Sequence, residues 1–312
     1  MDKRDVFATM LTPYNNEGAV DIPTVRNLVD WCVQKGCSGI YSLSQDAEIF
    51  NLSLKERVEL NGTVFGRAKA IESILKKQCT VFSSGHTAAT IEEQAEELCA
   101  IAKSGTDALI LLADRLDPGN DGDKVWIANA EKLLAKLPEE VVLGLDEGKG
   151  EHRRVISTEI LQWCLSTGRF KYLLDNSCDF NTIDKRLFLA EESELEIYNT
   201  NAQTLLDSLC LGASGYCGSM ANFHPQLYVW LCENFEANPD QAAFVQSILC
   251  TAAFSEDKLS YPLSAKYSMC IEGIKMNVTA RSTGEHVFSD YEVSCVNQLK
   301  LFADVVAGGM LG

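Results

Sequence analysis

Phe170-Lys171-Tyr172-Leu173-Leu174-Asp175-Asn176-Ser177 is a short apolar run that ends in polar residues. Such a run reads as a strand buried on both faces, arriving at its carboxyl end. Working outward from its centre at residues 172–174, similar runs occur at 6–12, 39–43, 79–83, 108–112, 141–145, 196–198 and 215–218. Amphipathic stretches such as 22–35 and 90–104 lie between them, the alternation that builds a parallel sheet with crossover helices. In the second stretch Ile91, Ala95, Leu98 and Ile101 recur at helical spacing, and its glutamate-rich opposite face reads as solvated. Eight strands are the number that closes a TIM barrel, although periodicity alone also permits an open doubly wound sheet. From about residue 225 the strand signals stop, and helix-like blocks follow at 225–234, 239–254, 264–274 and 287–307. The expected architecture is α/β: a (β/α)8 barrel over residues 1–224 with a C-terminal helical region, 225–312, packed on it.

The 312 residues are enough to bury a substantial core, and 46% hydrophobic with 23% charged residues is the balance of a soluble globular chain. A formal charge of −17 argues against nucleic acid, whose phosphates it would repel. No apolar run is long enough for a membrane span, and Met1-Asp2-Lys3-Arg4-Asp5 has no signal-peptide design, so the cytoplasm is the expected compartment. The 12 cysteines include no Cys-x-x-Cys pair, and many fall in apolar segments, which predicts reduced packing thiols and neither a metal nor a cofactor site.

Several pieces, in order and spacing, resemble the dihydrodipicolinate synthase and N-acetylneuraminate lyase family. Thr12-Pro13-Tyr14 with Gly18-Ala19-Val20-Asp21 is similar to its first strand and turn, and Gly36-Cys37-Ser38-Gly39-Ile40 to its second strand. Leu52-Ser53-Leu54-Lys55-Glu56-Arg57 resembles the helix after it, and Ser104-Gly105-Thr106-Asp107-Ala108 the entry to strand four. Gly212-Ala213-Ser214-Gly215-Tyr216 with Ala221-Asn222 and Pro225 resembles the eighth-strand region, and Tyr261-Pro262 through Lys266 and Gly273 the last helices. The resemblance implies a (β/α)8 barrel, a small-molecule ligand, and a homodimer or homotetramer paired through the loops after strands three and four.

It also implies a Schiff-base aldolase, and there the sequence departs from the pattern. The family's sixth strand ends in a lysine that condenses with pyruvate; here that position is Leu174. Its fifth strand carries a proton-relaying tyrosine; here it is Asp146, and the interval from 146 to 174 matches that between tyrosine and lysine in familiar members. Its Gly-Thr-Thr-Gly-Glu loop, which holds the keto-acid carboxylate, is replaced by Ser44-Gln45-Asp46-Ala47-Glu48, and its interface tyrosine falls near Asp114 or Arg115. These departures cluster at the carboxyl ends of the strands, where TIM-barrel sites form.

Candidate pocket residues are therefore Ser44, Gln45, Asp46, Glu48, Asp114, Asp146, Leu174 and Cys217, with no catalytic residue assigned. Lys171 should face away from Leu174, and Lys149, among acidic neighbours, should remain an ordinary protonated lysine. His86 and His152 follow strands three and five, while His224 and His286 read as structural. Asp46, Glu48, Asp114, Asp146, Glu147 and Asp175 could form an acidic mouth for a cation or for acid–base work, or could be caps and solvated loop residues. The expectation is a divergent member without pyruvate chemistry that binds a metabolite. The alternatives are an active lyase using another residue and a metal-assisted acidic site.

Overall fold

A computed structural model describes residues 4–284 and 286–311; residues 1–3 of the N-terminal segment, residue 285 and the terminal residue 312 lie outside it. Among the described residues there are eight strands: β1 (Asp5–Thr9), β2 (Gly39–Tyr41), β3 (Thr80–Ser83), β4 (Ala108–Leu112), β5 (Leu143–Asp146), β6 (Phe170–Asp175), β7 (Glu196–Asn199) and β8 (Gly215–Gly218). Each pairs in parallel with the next, and β8 pairs with β1 through Phe7 opposite Cys217, so the barrel is closed and the open-sheet alternative falls.

Strand ends differ from the sequence expectation for local reasons. β1 stops at Thr9, and the apolar residues after it are buried in a loop: Met10 N–H donates to the Tyr41 carbonyl at 2.9 Å and Thr12 Oγ1 to the Ala47 carbonyl at 2.6 Å. β5 runs one residue further than expected, which places Asp146 within the strand, opposite Leu174 of β6.

The crossover helices are α1 (Ile22–Gln34), α2 (Leu54–Leu75), α3 (Ile91–Ser104), α4 (Asp123–Leu134), α5 (Thr158–Thr167), α6 (Phe180–Ala190) and α7 (Leu205–Leu211). Apart from α4 and α7, they start after short polar side chains that accept from the exposed N–H groups of the first turn: Ser53 and Glu56 form a reciprocal capping box, and Thr90 accepts from Glu93 N–H. On α3 the periodic Ala95, Leu98 and Ile101 are buried as their spacing demands. Glu97 breaks the solvated-face expectation, because it is buried against Arg57 at 2.6 Å and accepts the N–H groups of Thr87 and Ala88.

After β8 come α8 (Pro225–Asn234), α9 (Pro239–Glu256), α10 (Leu263–Ile271) and α11 (Asp290–Leu311). α8 packs on β1 and β8, α9 on α8, and α10 on α11.

Inside the barrel, Phe7, Tyr41, Phe82, Ile110, Leu174, Tyr198 and Cys217 form a separate apolar cluster. Phe7 and Phe82 stack with centroids 4.2 Å apart and Tyr198 meets Phe7 edge-on at 5.1 Å. Gly39 makes room for this: a Cβ there would lie 2.3 Å from the Phe7 ring. The lumen is thus filled, and any ligand must be taken at its mouth.

Candidate functional site

The mouth at the carboxyl ends of the strands holds a cavity of about 70 Å³. Asp146 from β5, Leu174 from β6 and Cys217 from β8 line it, joined by Ser44, Gln45 and Asp46 from the loop after β2. Six of the eight candidate residues therefore share one space. Leu174 is 1% exposed, a branched hydrocarbon at the position the resemblance assigns to a lysine.

Asp146 is the titratable centre of this cavity. Its Oδ1 accepts from Gly148 N–H at 2.8 Å and its Oδ2 from Tyr41 O–H at 3.1 Å. Burial pushes its carboxyl up to about 6, and the negative charge of Asp46 adds to the shift. Tyr41 is pushed up as well, first by burial and then by Asp146, so it stays a neutral donor. Burial and the Asp146 charge likewise push the Cys217 thiol well up, which makes it a poor source of thiolate.

Lys149 departs from the expectation of an ordinary solvated lysine. It lines the cavity, its ammonium contacts Asp46 Oδ1, and its Nζ lies 5.3 Å from the centroid of the Tyr261 ring. Its side chain remains 51% exposed, whereas that of Asp46 is 8% exposed. Lys171 points away as expected and pairs with Glu194 on the outside.

Two candidates leave the cavity. Glu48 has a left-handed backbone (φ 60°) that turns its carboxylate toward the C-terminal helices. There it pairs with the buried Lys266 at 2.8 Å and accepts the N–H groups of Arg281 and Ser282 at 2.7 and 3.0 Å. Asp114 pairs with His152 Nδ1 at 3.1 Å, and the His152 ring stacks on Phe50.

The wider acidic mouth is also dispersed. Arg186 of α6 is 3% exposed and binds both Glu147 and Asp175, while Glu147 further accepts Ile156 N–H at 2.6 Å and Asn176 N–H at 2.9 Å. Among the described residues no group of three or more His, Cys, Asp or Glu side chains could hold a metal ion. His86 is a buried strut: Nδ1 meets Gln94 at 2.9 Å, Nε2 accepts from Leu112 N–H at 2.8 Å, and burial lowers it to about 4. His224 is likewise buried, 3.5 Å from Glu256, while His286 meets Ser260 Oγ at 2.8 Å on the surface.

Sequence reading missed Tyr41, Ser219 and Tyr261. Inward alternation on β2 could have found the first, and the strand-end rule the second. Tyr261 arrives from the C-terminal helices without a local signal.

Comparisons with known proteins identify the family. A family model described as the dihydrodipicolinate synthetase family matches residues 2–111. An N-acetylneuraminate lyase of Escherichia coli is 30% identical over 225 residues, covering 70% of this chain and 69% of its own. A 4-hydroxy-tetrahydrodipicolinate synthase of Ralstonia nicotianae is 24% identical over 230 residues, covering 72% of each. The chain belongs to the dihydrodipicolinate synthase and N-acetylneuraminate lyase family.

Solved structures share the fold throughout. A dihydrodipicolinate synthase from Aquifex aeolicus superposes with a TM-score of 0.82 at 14% identity, over 96% of this chain and 98% of that one. A catalytic-lysine mutant of the Ruminococcus gnavus sialic acid aldolase gives 0.79 at 15% identity, over 98% and 97%.

Proposed function

We propose that this protein is a divergent member of its family that binds a small molecule at the barrel mouth without forming an imine with a keto acid. One observation carries the reading: Leu174, at the position the resemblance gives to the Schiff-base lysine, faces the cavity beside Asp146. Imine formation needs a neutral amine that can attack a carbonyl and lose water. A leucine supplies none, and Lys149, which lines the cavity, is engaged in an ion pair with Asp46. Keto-acid binding is opposed too, since Asp46 and Asp146 bring negative charge to a place where a carboxylate would have to sit. The paired states of Glu48, Asp114, Glu147 and Asp175 weigh against a metal-assisted acidic mouth.

Pyruvate with borohydride, followed by intact mass measurement, tests this directly. No mass increase is expected on the wild-type protein. A stoichiometric reduced adduct mapped to Lys149 would establish an active lyase with a relocated nucleophile and overturn the proposal. The family resemblance also supports a homodimer or homotetramer, and light scattering that finds only monomer at micromolar concentration would refute that part.

A further inference from the structure

Lys149 sits in its loop as a ligand sits in a site. The loop backbone is anchored: Gly148 N–H donates to Asp146 at 2.8 Å, Asn176 Nδ2 donates to the Gly148 carbonyl at 2.5 Å, and Lys149 N–H donates to Gln45 Oε1 at 3.2 Å. Glycines at 148 and 150, with φ of 66° and 60°, form the turn. From this fixed backbone a half-exposed side chain lays its ammonium on the buried carboxylate of Asp46 and near the ring of Tyr261. A carboxylate and an aromatic ring together make a receptor for an alkylammonium, the carboxylate by charge and the ring by its negative face.

The same position separates two spaces. The cavity of about 70 Å³ and a neighbouring cleft of about 320 Å³, which reaches the C-terminal helices, share Gln45, Asp46, Lys149 and Ser219 as lining. Beyond the ammonium, Ser44 faces the cavity, is only 3% exposed, and its Oγ has no hydrogen-bond partner among the described residues. A buried hydroxyl in that state is costly unless something meets it.

We propose that the Asp46–Tyr261 pair is a binding site for a primary alkylammonium ligand, that Lys149 is its internal competitor, and that a polar group on the ligand reaches Ser44 Oγ. This rests on the reading above that the cavity binds a small molecule. Displacing Lys149 joins cavity and cleft, so the lysine acts as a stopper that an external amine must push aside. Apparent affinity is reduced by the fraction of molecules in which the stopper is seated.

Ethanolamine, which carries an ammonium and a hydroxyl, is the probe, and ethylene glycol is the neutral control, each measured by calorimetry or ligand-observed NMR. The wild type should bind ethanolamine at millimolar concentration, and Lys149→Ala about tenfold more tightly because the competitor is gone. Asp46→Asn should abolish binding, and Tyr261→Leu should weaken it several-fold, with thermal unfolding used to verify that each variant is folded. Ethylene glycol should bind none of them. Unchanged or weaker affinity in Lys149→Ala overturns the proposal, as does undiminished binding in a folded Asp46→Asn or Tyr261→Leu protein. Equal binding of ethylene glycol, or binding by Lys149→Ala with none by the wild type at tens of millimolar, also overturns it. Borohydride trapping with pyruvate reads a different event, so failure here and failure of the no-imine reading are told apart.

Discussion

Replacing Asp146 with asparagine should stabilise the protein at alkaline pH. In the folded state its carboxyl is raised from 3.8 to about 6 by burial, helped by the charge of Asp46. A raised acid holds its proton more tightly when folded than when unfolded. Stability therefore falls as pH rises from about 4 to about 6, and the full penalty for burying the charge is present above that window. At about 1.4 kcal/mol per pH unit, the penalty is at most about 3 kcal/mol. Asparagine keeps an acceptor for Gly148 N–H and can donate to Tyr41 Oη, so both polar contacts survive without the charge. Asp146→Asn should thus be about 1–3 kcal/mol more stable than the wild type at pH 8 and nearly equal to it at pH 4. Urea unfolding of both proteins across that range measures the difference directly. A variant equally stable or less stable at pH 8, or a difference that does not change with pH, would refute the assignment of a buried, reluctantly ionised carboxyl to this position.

Arg186→Ala should cost about 3–5 kcal/mol in urea unfolding, because it leaves Glu147 and Asp175 as uncompensated buried charges; a loss below about 1 kcal/mol would show that water or protonation rescues them. Glu48→Gln removes the counter-charge of the buried Lys266 and leaves one acceptor oxygen where Lys266, Arg281 and Ser282 now share two. It should cost about 3 kcal/mol and open the 279–284 segment to proteolysis, and a variant as protease-resistant as the wild type would contradict that anchoring role. Leu174→Lys should yield no pyruvate adduct on borohydride treatment, since an amine there stands beside Asp146, its register partner, and would be kept protonated. An adduct at position 174 would mean that the missing lysine alone separates this protein from the aldolase chemistry the resemblance implies.

Much of the barrel was legible because its strands are buried on both faces and read as apolar runs punctuated by polar ends. Residues 10–12 continue such a run without pairing as β1, because a buried loop selects the same residue types as a buried strand. The helices after residue 224 begin with α8, which packs on β1 and β8. Asp146 and Leu174 both line the cavity because position along a strand fixes which way a side chain points. Glu48 lines the neighbouring cleft and Asp114 turns to His152, because closeness to a strand end does not specify direction. Their partners, Lys266 and His152, are remote in sequence, and only the folded chain brings them together. Local composition makes Lys149 a solvated lysine, and it is half exposed; Asp46 engages its ammonium from across the mouth, a partner local composition does not reveal.

Arg186 has a consequence for how this sequence can drift. The residues it ties, Glu147 and Asp175, each directly follow a cavity-lining position, 146 and 174. The ends of β5 and β6 are therefore fastened together from behind, by a guanidinium on α6 that does not line the cavity. A lineage holding this clamp can exchange the residues that face the ligand while the strand ends stay in register. Substitution at positions 146 and 174 then becomes a change of contents within an unchanged frame, and new ligands can be sampled without first solving the folding problem again.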